Sequence, residues 1–183
     1  MNDEEILEAI RARVADGRPA DLDDQPDLAR PATEDELRAA ELVIGYPLPP
    51  LLRRIYGEIA NGGVGPSGGV EGLPGGYSSD CGEADDECGM LASYQPGGLG
   101  EFDPDDSPPL PPGVLFFCDF GCATWSLLDC RHPQGQMWWW EMGDRHKLAL
   151  TLPQWLAAWL DGRIHEVCGN RELMLADQSW SGV

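Results

Sequence analysis

Residues 113–142 read GVLFFCDFGCATWSLLDCRHPQGQMWWWEM, and this stretch decides the fold. Val114-Leu115-Phe116-Phe117-Cys118 is a short apolar run rich in β-formers and predicts a buried strand. Asp119–Cys122 supplies a turn, Ala123–Asp129 a second strand and Gln136–Met142 a third. Spacers this short permit antiparallel neighbours only, because parallel strands need a crossover of a dozen or more residues. The stretch is therefore an antiparallel meander. In its third strand Trp138 and Trp140 point to one face and Trp139 to the other.

On either side of the meander the sequence switches to a helical period. Leu152 to Leu160 places Leu152, Trp155, Leu156 and Trp159 on one face, where they can pack on the sheet, and Asp161-Gly162 stops the helix. A short helix near Asn170–Ala176 and a loose tail with Trp180 follow. Upstream, Thr33-Glu34-Asp35-Glu36 is a capping box that starts a helix running to about Ile44 and ending at Gly45. Leu37, Ala40 and Ile44 share its inner face, with Glu41 on or beside the stripe. After Tyr46-Pro47-Leu48-Pro49-Pro50 a second helix runs to about Ala60, with Leu51, Leu52, Ile55 and Ile59 inward. Asn61-Gly62-Gly63 ends it through left-handed backbone. Asp3 to Val14 is a further amphipathic helix, with acids at the end its dipole favours. Asp16 to Pro31, broken by Pro19, Pro26 and Pro31, reads as a linker. Helices grouped around an antiparallel meander define the α+β class. The domain reading is an N-terminal helix and acidic linker over 1–31, then one domain over 32–183.

That domain carries an insertion at about 74–112. Val64 to Pro112 is rich in Gly, Pro and acids, with at most short strands around Gly69–Leu73 and Gly89–Tyr94. The whole chain of 183 residues has 32 Asp and Glu against 12 Lys and Arg, a net charge of −20. Between Ile55 and Cys130 lie 13 acids and no Lys or Arg. Phosphate-bearing partners, nucleic acid and anionic membranes alike, would be repelled. A basic protein would be steered in. No apolar run approaches the roughly 18 residues of a membrane span, and Met1 to Glu8 lack the order of a secretion signal. A cytoplasmic location is expected. The near-exclusive use of Arg over Lys resembles coding from a GC-rich bacterial genome.

Enzyme motifs fail on context. Gly65-Pro66-Ser67-Gly68-Gly69 matches a nucleophile elbow in letters only, since a helix precedes it and more Gly and Pro follow, and it reads as a flexible loop. Gly63-x-Gly65-x-x-Gly68 lacks the strand and helix of a dinucleotide site. Cys118, Cys122, Cys130 and His132 offer four zinc-type ligands within fifteen residues. Yet Cys118 and Cys130 end apolar strands, where thiols pack as small hydrophobes. Cys81 and Cys88 read as exposed thiols. Glu83–Glu87 and Asp103–Ser107 do not meet the spacing of a calcium loop. No metal, cofactor or catalytic set is expected. If the Trp138 and Trp140 face is open, those rings beside acidic loops would make a protein-binding hot spot.

The order of these motifs resembles the SUKH superfamily. The resemblance is carried by the capped helix with Glu41, Leu48-Pro49-Pro50-Leu51, Tyr56 and Asn61-Gly62-Gly63. It continues through Gly113-Val114-Leu115-Phe116-Phe117, the Asp119–Gly121 turn, Trp125-x-x-Leu128-Asp129, Gly135-x-Met137-x-Trp139 and Leu152-Pro153-x-Trp155-Leu156, covering about 32–162. It implies an α+β fold without a catalytic centre. Bacterial members so identified are immunity proteins that neutralise a cognate polymorphic toxin, often a nuclease; eukaryotic relatives are cell-wall or signalling regulators. On that implication, Glu83, Asp85, Asp86, Glu87, Glu101, Asp103, Asp105 and Asp106, with Trp138 and Trp140, are the expected contacts to a basic toxin domain. The alternative is a regulatory interaction module of the same fold. Oligomeric state is left open.

Overall fold

The computed structural model describes residues 1–23, 25–79, 89–91, 94–95, 98–99 and 110–179. Three helices come first: α1 (Asp3–Ala15), α2 (Glu34–Ile44) and α3 (Pro50–Glu58). A two-residue ladder follows, β1 (Tyr94–Gln95) against β2 (Gly98–Leu99). Then come β3 (Val114–Asp119), β4 (Thr124–Asp129), β5 (Gln136–Glu141) and β6 (Asp144–Thr151), and finally α4 (Leu152–Leu160), α5 (Ile164–Val167) and a 3₁₀ turn at Arg171–Leu173. The four long strands form one antiparallel sheet in the order β3-β4-β5-β6. The meander and the α+β class are as the sequence predicts.

The helix boundaries follow their caps. Thr33 and Glu36 make the reciprocal capping box, and Gly45 takes φ +81° at the other end. Glu36 is held by Arg30 first and by the Thr33 amide second, which lowers its pKa from 4.5 to about 2. Glu41 accepts the Leu48 amide at 3.1 Å and pairs with Arg53 at 3.3 Å. A carboxylate beside the apolar stripe thus pins the turn between α2 and α3.

The sheet has two apolar faces. Cross-strand partners share a face, so Leu115, Leu128 and Met137 form one layer toward the helices, and Ser126 pairs with Trp139 in the next. The β3–β4 register slips between Phe116 and Cys118. This bulge lets the adjacent Phe117 and Cys118 both join the main core. Helix α4 covers that face, with Phe117 and Trp155 ring centroids 5.6 Å apart. Trp139 lies in the same core as Trp155 and Trp159, so it is the middle tryptophan of the triplet that meets α4.

Four expectations are corrected. Strand β6 was not anticipated, because its alternation is masked by charge: Arg145 and Lys147 line the outer face while Leu148 is buried. Helix α5 was also missed, and the helix expected over Asn170–Ala176 is only the turn at Arg171–Leu173. The proline-rich linker is strapped to the body. Gly65 donates to Pro19 O at 3.0 Å, the Asp21 and Leu22 amides donate to Ser67 O, and the Ala32 amide donates to Tyr56 O at 2.8 Å. Arg13 lies 4.6 Å from the Trp159 ring centroid, and Asp21 accepts both Arg13 and the Trp159 indole N–H. Helix α1 therefore belongs to the main core, where Ile6, Leu7 and Ile10 are fully buried.

The fourth correction concerns Gly65–Gly69, expected as a flexible loop; residues 61–79, which contain it, are tightly packed beside β3. The Glu71 amide donates to Phe117 O at 2.8 Å, and Val70 bridges Cys118, which covers the exposed edge of the sheet. Only glycine permits this. A Cβ on Gly69, at φ +104°, would lie 2.5 Å from the Gly63 carbonyl carbon, and one on Gly76 would lie 2.4 Å from Asn61 O. Buried Asn61 serves as the hub: its side chain accepts the Leu73 amide at 2.9 Å and donates to Leu73 O at 3.3 Å. The tail with Trp180 lies outside the described residues.

Asn61→Ala should lower the unfolding free energy by about 2 kcal/mol, because it strands the buried Leu73 amide and leaves Leu73 O with the Gly76 amide alone; urea unfolding measures this, and an unchanged midpoint would contradict the hub role. The folded pKa of Glu36 lies below its unfolded value, so its contribution is present above pH 4.5 and is lost as pH falls toward about 2. Glu36→Gln should remove that part of the acid dependence and leave the slope near neutral pH unchanged.

Candidate partner-binding surface

The charge of the chain is partitioned by its fold. Of the 12 basic residues, Arg11, Arg13, Arg30, Arg38, Arg53, Arg54, Arg131 and Arg163 are each ion-paired within the chain. The first six lie on or beside α1–α3. Arg54 spans Glu4 and Glu58, and Arg53 spans Glu34 and Glu41, so these two side chains tie α3 to α1 and to α2.

The 13 acids between Ile55 and Cys130 divide into two groups. Four lie among the described residues, and each has a structural partner. Glu58 pairs with Arg11 and Arg54. Buried Glu71 accepts the Ser79 amide at 3.0 Å and its hydroxyl. Asp119 accepts the Gly121 amide at 2.7 Å, tightening the turn after β3. Asp129 is clamped by Arg131 through contacts of 2.8 and 2.6 Å, with side-chain exposures of only 4% and 15%. The candidate contact acids Glu83, Asp85, Asp86, Glu87, Glu101, Asp103, Asp105 and Asp106 lie outside the described residues, as do Cys81 and Cys88.

The two candidate tryptophans are visible, and the open aromatic face conceived for them is not there. Trp138 and Trp140 are 0% and 2% exposed. They form a second apolar cluster on the outer face with Leu110, Val114 and Leu127, and Phe116 and Trp125 pack against it. Phe116 meets Trp125 and Trp140 edge-on at 5.3 and 5.7 Å, and the Lys147 ammonium sits 5.6 Å from the Trp138 ring centroid. Side chains this large, on a strand paired on both sides, are worth more to the sheet buried than free. The sequence cannot report this, because alternation assigns a face but not what covers it.

The four zinc-type ligands do not converge. Cys118 pairs with Ser126 at one end of the β3–β4 hairpin, and Cys130 follows Asp129, the partner of Val114, at the other. Four residues of strand separate those ends by about 13 Å. Among the described residues no three His, Cys, Asp or Glu side chains are grouped to hold a metal. Cys118 is buried with its thiol 3.5 Å from Pro66 O, and Cys122 is exposed in the turn. Burial pushes the thiols of Cys118 and Cys130 well up, and that of Cys168 up to about 11. His132 accepts the Gln134 amide at its Nδ1. Ser67 sits at φ +53° with its carbonyl holding the Asp21 and Leu22 amides, which is a structural bend without the strand and helix of an elbow.

Among the described cysteines, iodoacetamide on the native protein at neutral pH should label Cys122 first, leaving Cys118 and Cys130 unmodified until the fold is opened. Peptide mass mapping reads this, and early labelling of Cys118 would contradict its burial.

Among the described residues no helix is long and apolar enough to cross a membrane. No curated protein and no solved structure matches the chain. The family described as SMI1 / KNR4 family (SUKH-1) matches residues 31–158, which takes in α2, α3, the whole sheet and most of α4. With more than two thirds of its length matched, the chain belongs to the SMI1/KNR4 (SUKH-1) family.

Proposed function

We propose that this chain is a bacterial immunity protein that binds and neutralises a cognate polymorphic toxin domain of basic character, a nuclease being the first candidate. The SUKH family in general comprises immunity proteins of toxin systems. The observation that carries the finer reading is the partition of charge. The described acids of the 55–130 stretch are engaged in holding the fold, and the basic residues around them are paired. Nine of its 13 acids lie within Asp80–Asp106, a run that contains no cation at all.

A nuclease must present positive charge to phosphates, and a stretch of carboxylates free of internal cations is complementary to that cleft. In this reading Glu83, Asp85, Asp86, Glu87, Glu101, Asp103, Asp105 and Asp106 supply the contacts. The sheet supplies the rigid support, with Trp138 and Trp140 as the buried layer that stiffens it. Inhibition is by occupation, and no bond is made or broken. The protein acts in the cytoplasm, where a toxin would find its substrate, and binds neither nucleic acid nor membrane.

The test is capture from the native host with tagged full-length protein at low and moderate salt, followed by titration of the captured toxin domain. Replacing the eight named acids with Ser or Asn should weaken binding at low salt by at least about tenfold and flatten the dependence of log K on log salt. Unchanged affinity and salt slope would sink the electrostatic reading. Capture of housekeeping regulators alone would move the assignment to a regulatory module of the same fold.

A further inference from the structure

We draw no further inference here: the strongest candidate, the shallow surface depression at the end of α2 lined by Arg38, Glu41, Leu42, Gly45, Tyr46 and Pro47, bears the exposed side chains of Leu42 and Tyr46, and nothing in the structure shows what covers them.

Discussion

Three consecutive tryptophans on one strand commit this sheet to being covered on both faces. A strand alternates its side chains, so Trp138 and Trp140 must be buried on one side and Trp139 on the other. With each ring carrying on the order of 200 Å² of surface, neither face can be left to water without a loss of several kcal/mol. Everything else in the architecture answers that demand. Helix α4 and its partners α1 and α3 close the Trp139 face. Leu110, Val114, Phe116, Trp125 and Leu127 pack with Trp138 and Trp140 on the other.

The sheet's edges are handled with the same economy. On one side the glycine-rich segment lies along β3, with Val70 bridging Cys118. On the other, Met174 bridges Leu148, and Leu175 and Gln178 bond the backbone of Lys147. These contacts occupy the middle of each edge strand and blunt its pairing with a strand from another chain. Eight of the 12 basic residues are ion-paired within the chain, and three of them, Arg11, Arg53 and Arg54, join α1, α2 and α3 to one another. A net charge of −20 on a rigid frame is what remains for a partner to meet.

How much of this was legible in the residues follows from the range of the forces involved. The capping box at Thr33 and Glu36, the left-handed stop at Gly45, the meander of β3, β4 and β5, and the α4 stripe all depend on side chains within one turn or one hairpin of each other, and each was readable. Strand β6 was not, because Arg145 and Lys147 on its outer face break the apolar alternation that marks a strand. The linker was misread for a related reason. Pro19 and its neighbours lack local periodicity, and what orders them is Ser67, Tyr56 and Trp159, distant in sequence.

For the candidate site the division is sharper. Family membership and charge, the latter in a stretch of 13 acids and no bases, are both written in the linear chain. Both are properties of the chain read one residue after another. That Trp138 and Trp140 are closed off, and that Cys118 and Cys130 stand at opposite ends of a hairpin, follows only from how distant segments pack. Periodicity tells which side of an element a residue occupies. What lies against that side is set by long-range packing, which enters the energy only when segments far apart in sequence meet.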